Sequence, residues 1–359
     1  MKYFNFIIAI ILTLLYATGK IPPSENYNLW ITTFIIPFAL AANIILLIIS
    51  LIMRKRSSLY YVITLIIGST YLLSTVGLRF IFNKAVVTPE TFKVLSYNTK
   101  SLTGHYSAPS SFRDADESTF ALRDWLINNE AEIQCLQEFI NYGDSKDFNL
   151  VKMYEDKGYH TYFSYDSTKQ FRSVVVGTLI ASKFPIVASG DVVAHPNGFN
   201  RITYADVRMG MDTLRIINVH LQSMGLKQHH PFERPGFQSK KESAKVIISK
   251  LKDGVFERSH QIRILAAFAA ESPYPVICVG DFNDMPYSYS YQYLKQRMKN
   301  TFEQVGKGFG FTYNGNTLRV LRIDNQFYSG SVQPVRFETL RDIKYTDHFP
   351  IEGLYRLTP

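Results

Sequence analysis

The sequence predicts an α/β domain with mixed or antiparallel sheets, preceded by a helical membrane region. Three observations predict it. Long uncharged apolar runs are confined to the first 85 residues. Beyond them, short apolar runs of strand length alternate with segments of helical spacing. Hairpin-like pairs are interspersed among these, too irregularly for a βα barrel.

The elements follow in order. Phe4 to Thr18 is nearly all apolar, Leu29 to Met53 has no charge over 25 residues, and Ser57 to Leu78 is again uncharged. A span needs roughly 20 residues, so the sequence predicts three spans over about 4–19, 29–53 and 57–82. The first is short enough to be a leader core, with Ala17 and Gly19 as cleavage candidates; the two spans close behind it favour retention. Arg54-Lys55-Arg56 between spans two and three places that turn in the cytoplasm and everything after the third span outside it. Residues 1–85 thus form a multi-pass anchor in a cell (inner) membrane, 86–91 a linker, and 92–359 an extracytoplasmic domain. No intramembrane acid suggests transport.

In the domain, 92–99, 131–139 and 159–165 read as strands, 172–187 as a strand with a Pro-containing turn, and 201–221 as a hairpin about Met209–Asp212. Helical spacing marks 116–129, 147–157, 238–250, 257–270 and 289–300. "PVICVGDFN" (275–283) is a further strand, and 312–357 holds several more.

The net charge is +9. Seven basic and two acidic groups fall within residues 1–91, leaving 32 basic and 28 acidic groups beyond, a net of about +4. Much of the surplus is therefore charge flanking the membrane runs, and pI is no argument for nucleic-acid binding. Cys135 and Cys278 each sit inside an apolar run and read as inert core thiols, with a disulfide between neighbouring strands as the alternative. No Cys/His zinc spacing occurs.

Six apolar runs lead into polar groups able to ligate: Asn98, Glu138, Asn218 with His220, Asp281 with Asn283, Asp324, and the Asp347-His348 pair. Strand ends converging on one rim make a rigid, open site. Carboxylates with amide oxygens suit Mg²⁺ or Mn²⁺, and the scarcity of His and Cys argues against zinc. A His beside an Asp reads as an acid–base group with an orienting partner. Arg201 and the rim amides, Asn218 among them, are candidate phosphate contacts. Together these describe metal-assisted attack of water on a phosphoester.

"VLSYNTKS", "IQCLQEF", "VVVGTLIASKFPIV", "INVHLQS", "VGDFNDMPYS", "RIDNQFYS" and "YTDHFPI" resemble, in this order, the endonuclease/exonuclease/phosphatase superfamily across about residues 92–357. The resemblance implies a four-layer α/β sandwich, two central sheets flanked by helices, with the active site at one edge. It implies Glu138 as principal metal ligand, with Asn98 and Asp347 near the ion or its waters. Asp281 would align or deprotonate the attacking water, Asn283 would hold a phosphate oxygen, and His348, oriented by Asp324, would contact the phosphate. His220 would be the general acid for the leaving oxygen, and Arg201 an accessory phosphate contact. Lys100 stands where some members carry a second acid, which favours one metal, and Thr346 keeps the hydroxyl of the more usual Ser-Asp-His.

The resemblance fixes the reaction better than the substrate. Nucleic acid, a phospholipid head group and a sugar or inositol phosphate all stay open, and no obligate protein partner is implied. The loop 223–241, rich in basic and aromatic groups, suits a polyanion or a membrane surface. A catalytically silent membrane-bound scaffold using the same fold for binding is the alternative, and the full rim set argues against it.

Overall fold

The computed structural model describes residues 2–23, 28–78, 90–102, 117–169, 174–194, 199–223, 240–315 and 320–358. The expected linker, the end of the third expected span and most of the 223–241 loop lie outside them. The chain forms two compact units: Met1–Val76 with Ser223–Arg263 and Asp284–Gln296, and Gly77–Gln222 with Ile264–Asn283 and Arg297–Pro359. These units interleave along the chain, and the expected boundary at 86–91 falls largely outside the described residues.

The first unit contains α1 (Lys2–Thr18), α2 (Thr32–Ile52), α3 (Ser58–Ile67) and α4 (Ser69–Thr75). Of three expected spans, one helical stretch among the described residues, Asn28–Ile52, is long and apolar enough to cross a membrane. The helix α1 has 17 residues, and α3 and α4 pass the same test of length and composition only when taken together, across a bend of 68°. Gly68 sits at the bend, where a Cβ would lie 2.8 Å from the Tyr16 ring, so the ring occupies the room a side chain would take. Buried polar groups in so apolar a bundle need partners. Asn43 Nδ2 accordingly donates to Thr64 Oγ1 at 2.8 Å and to Tyr16 Oη at 3.3 Å, and Tyr61 Oη donates to Asn5 Oδ1 at 2.9 Å.

The short strand β1 (Val76–Leu78) follows α4. The second unit is built on two six-stranded mixed sheets. The first sheet runs β13-β14-β2-β3-β5-β4, from β2 (Phe92–Asn98), β3 (Ile133–Tyr142), β4 (His160–Tyr165), β5 (Val174–Ser182), β13 (Val332–Thr339) and β14 (Ile351–Leu357). The second runs β10-β12-β9-β8-β7-β6, from β6 (Ile186–Ala194), β7 (Arg201–Met209), β8 (Asp212–His220), β9 (Val276–Asp281), β10 (Lys299–Asn300) and β12 (Asp324–Ser329). Each has one parallel pair, β2/β3 and β8/β9, among antiparallel neighbours.

Period-two alternation sends Val94, Ile133 and Cys135 from one sheet against Leu214, Ile216, Ile277 and Val279 of the other. The opposite face of the first sheet packs Leu136, Phe139 and Leu179 on α5 (Glu117–Asn128) and α6 (Leu150–Asp156). Both cysteines are buried and free in this core, and burial pushes both thiols well above their ordinary range. They are core thiols, not a disulfide.

Where two helices were expected over 238–270, one helix, α7 (Lys240–Ala270), runs through Gly254. An interior glycine costs about 1 kcal/mol, but a Cβ there would lie 3.0 Å from an Arg258 guanidinium nitrogen. Arg258 is fully buried and reaches Asp284 Oδ2 at 3.3 Å, within the first unit. The last turns of α7 carry Phe268, which packs on Tyr204 of β7 with ring centroids 5.0 Å apart. The expected helix 289–300 is shorter: α8 (Tyr289–Lys295) begins where Ser288 accepts from Tyr291 N. The chain then passes through β10, α9 (Thr301–Val305) and the short strand β11 (Lys307–Phe309).

Candidate active site

Register places the polar strand ends on one edge of the second unit. In the second sheet, Arg201 pairs with His220, His220 with Asp281, and Asp281 with Asp324 across β7, β8, β9 and β12. Asp324 opens its strand rather than closing one, and the antiparallel β9/β12 pairing brings it to the same edge. In the first sheet, Asn98 pairs with Gln137 across the parallel β2/β3.

Glu138 was expected to end its strand, but β3 continues to Tyr142. A register irregularity between Leu136 and Phe139 leaves Gln137 and Glu138 without partners on β5. Glu138 takes φ 46 there, a left-handed conformation uncommon outside glycine. Asn283 likewise has φ 50, and its amide donates to Asp281 Oδ1 at 2.8 Å, closing the turn after β9. Gly280, at φ +146, allows β9 to approach β8; a Cβ there would run into the Val219 carbonyl.

The side chains meet at short range. Asn98 Nδ2 donates to Glu138 Oε1 and to Asp281 Oδ2, both at 3.0 Å. The same two oxygens lie 3.7 and 3.8 Å from His220 Nε2. His220 Nδ1 donates to the Phe199 carbonyl at 2.9 Å, so Nε2 faces the carboxylates. His348 Nδ1 donates to Asp324 at 3.0 Å, and its Nε2 lies 3.7 Å from Asp281 Oδ2 and 3.9 Å from Asp347 Oδ1. Lys100 Nζ is 3.7 Å from Asp347 Oδ2. Burial pushes the Asp324 carboxyl above its ordinary range; the His348 imidazole opposes this and the Asp281 charge adds to it.

The structure therefore brings together Asn98, Glu138, His220, Asp281, Asp324, Asp347 and His348. Asn283 stands beside them, with its Nδ2 donating to Leu221 O at 3.0 Å. Two expected phosphate contacts are engaged elsewhere. Asn218 is fully buried between the sheets; its Nδ2 donates to Leu136 O and Leu179 O, and its Oδ1 accepts from Gln137 Nε2. Arg201 directs Nη1 to Ser164 Oγ at 2.8 Å and Asp191 Oδ2 at 2.9 Å.

Sequence reasoning missed Thr312, whose hydroxyl accepts from the Ile323 and Asp324 amides, and the Phe199 carbonyl that fixes His220. It noticed the Thr346 hydroxyl without its task, which is to donate to Asn98 O and accept from His348 N.

Asp281, Asp324 and His348 form a buried group whose ligating atoms lie within 4.8 Å of one another. Glu138, 23% exposed, and the fully buried Asp281 also bring two carboxylates together, and the buried charge is costly without a countercharge. The His220 Nε2 that faces them is itself buried without a hydrogen-bond partner. The donor set fits a divalent cation of the Mg²⁺ class.

A profile described as endonuclease/exonuclease/phosphatase family matches residues 95–348, most of the chain. The chain belongs to the endonuclease/exonuclease/phosphatase family. Members of this family are generally phosphoester hydrolases, and the chain carries their fold. A second profile, for a domain of unknown function, matches residues 1–75. A comparison with curated proteins finds no match. Among solved structures, the endonuclease/exonuclease/phosphatase from Beutenbergia cavernae is 18% identical, with TM-score 0.53 over 75% of this chain and 72% of that one. Humanized D. rerio TDP2 is 16% identical, with TM-score 0.51 over 74% and 99%. A family protein from Bacteroides thetaiotaomicron is 17% identical, with TM-score 0.50 over 76% and 97%. At these identities the likeness shows the shared fold.

Proposed function

We propose that the chain is a membrane-anchored, divalent-cation-dependent phosphoesterase. One observation carries the reading: Glu138 Oε1 and Asp281 Oδ2, from different sheets, converge on the same Asn98 and His220 nitrogens. Glu138 would hold the cation, with Asp347 near its waters and Asn98 steering both carboxylates. Mg²⁺ or Mn²⁺ bound there would supply charge stabilisation and polarisation of the phosphoester. Asp281 aligns the attacking water and takes its proton. His348, held by Asp324, contacts the phosphate; Asn283 binds a further phosphate oxygen; His220 gives a proton to the leaving oxygen. The Lys100 ammonium beside Asp347 supports a single cation.

The domain boundary at 86–91 and the anchoring of residues 1–85 belong to the same proposal. Large apolar side chains exposed along α1, α2 and α3, such as Phe4, Ile11, Phe38, Ile48, Ile52 and Ile66, support burial in lipid. The Arg54–Arg56 turn supports a cytoplasmic α2–α3 connection and an extracytoplasmic catalytic domain. A C-terminal reporter active only in the cytoplasm would reverse that orientation.

The test uses the full chain in detergent micelles, assayed on DNA, RNA, sphingomyelin-like lipid and inositol phosphates with Mg²⁺, Mn²⁺ or chelator. Hydrolysis of one class, abolished by chelation and by Asp281→Ala, is the expected result. Hydrolysis that survives both would overturn the mechanism. Cation binding without turnover of any phosphoester would favour the scaffold.

A further inference from the structure

We propose that Thr99 and Asn218 are positioning residues for Glu138, holding the β3 bulge in the one backbone conformation that turns its carboxylate to the cation. The inference rests on the reading of Glu138 as a metal ligand.

The bulge poses a bookkeeping problem for hydrogen bonds. The register between β3 and β5 breaks between Leu136 and Phe139. Buried carbonyls at such a break need donors from elsewhere. Thr99 N donates to Gln137 O at 2.9 Å. The Thr99 hydroxyl is shared between Gln137 O at 3.2 Å and Glu138 O at 3.1 Å. Asn218 Nδ2 donates to Leu136 O at 3.1 Å and Leu179 O at 2.9 Å, binding both members of the last β3/β5 pair before the break. Gln137 Nε2 returns a bond to Asn218 Oδ1 at 2.7 Å. Thr99, Gln137 and Asn218 are all fully buried, so water offers little substitute.

Two side chains thus bind the three consecutive carbonyls of Leu136, Gln137 and Glu138. They secure φ 46 at Glu138, a conformation that persists only when its surroundings over-determine it. Asn218 has a second consequence. It lies two residues before His220 on β8 of the second sheet, whereas Leu136 and Leu179 belong to the first. Its bonds therefore fix the spacing between the sheet that carries Glu138 and the sheet that carries His220 and Asp281. A cation held by oxygens demands that spacing to within a few tenths of an ångström.

The experiment compares Thr99→Val, which keeps the shape and removes the hydroxyl, with Thr99→Ser, which restores it, and adds Asn218→Ala and Glu138→Gln. Mg²⁺ and Mn²⁺ affinity of the full chain is read by calorimetry at a temperature well below the melt, alongside kcat as a function of Mg²⁺. Loss of an outer partner of a metal ligand typically weakens affinity by about 10–100-fold. That loss is expected for Thr99→Val and Asn218→Ala, with kcat largely returning at saturating Mg²⁺ and near-native affinity in Thr99→Ser. If Thr99→Val folds and binds both ions as tightly as the native chain while Glu138→Gln does not, the positioning proposal fails and the site reading stands. If Glu138→Gln also binds normally, the site reading fails and takes the proposal with it. Should Asn218→Ala not fold, the Thr99 pair decides alone.

Discussion

Asp324 and His348 act as one unit at the residue scale. The imidazole has spent Nδ1 on Asp324 and can meet a phosphate only through Nε2. Removing either partner should cost about 10²–10⁴-fold in kcat, and removing both little more than removing His348, because groups serving one task are not additive. Steady-state kinetics of His348→Ala, Asp324→Asn and the double variant check this; a double variant slower by the product of the single effects would separate the roles. The candidacy of these residues was legible in the sequence, because polar groups after apolar runs recur six times, but their placement was not: Asp324 opens β12 and His348 precedes β14. Thr99, Thr312 and Phe199 were not legible. A threonine or a backbone carbonyl carries no mark of its task until partners distant in sequence, such as Thr312 and Asp324, have been folded together.

At the element scale, the central strands were legible as short apolar runs, because a strand covered on both faces is hydrophobic along nearly its whole length. Their irregularities were not. Nothing local in "IQCLQEFINY" announces a bulge at Glu138, since the donors that permit it come from β8 and from the residue after β2. The two helices expected at 238–250 and 257–270 are one, α7, and Gly254 between them leaves room for the Arg258 guanidinium. The β13/β14 pair supplies a prediction with a sign. Glu352 faces Glu338 across the ladder. Burial pushes its carboxyl above 4.5, against the opposing charges of Lys93 and Arg336 and with that of Glu338. The native fold therefore holds this proton more tightly than the unfolded chain, and the associated stability is present below the unfolded value and lost as pH rises through the folded one. Glu352→Gln should melt with the native chain near pH 4 and about 1–3 °C above it at pH 7. Thermal melts across that range test it, and a variant less stable at pH 7 would show that the bond to Arg336 outweighs burial.

Over the whole molecule, one tryptophan falls in each compact unit, Trp30 in the first and Trp125 in the second. Trp125 packs edge-on against Tyr97, one residue from Asn98, with ring centroids 5.7 Å apart. Variants Trp30→Phe and Trp125→Phe therefore let the unfolding of each unit be followed by its own fluorescence. A cation that binds only the folded second unit stabilises that unit by RT ln(1 + [Mg²⁺]/Kd), about 2.7 kcal/mol at a hundredfold excess over Kd. For a unit of this size each kcal/mol moves the midpoint by roughly 2–4 °C, so Mg²⁺ should raise the Trp125 transition by about 5–10 °C over chelator. Glu138→Gln should abolish most of that rise, since it takes one negative charge from the carboxylate pair without emptying the space it fills. The Trp30 transition depends on apolar helices joined by Asn43, Thr64 and Tyr16, with no carboxylate among those bonds, and Mg²⁺ should leave it in place. A Trp125 midpoint that does not move from chelator to saturating Mg²⁺ would mean that the folded edge holds no cation, and the convergence of Glu138 and Asp281 would then need another countercharge.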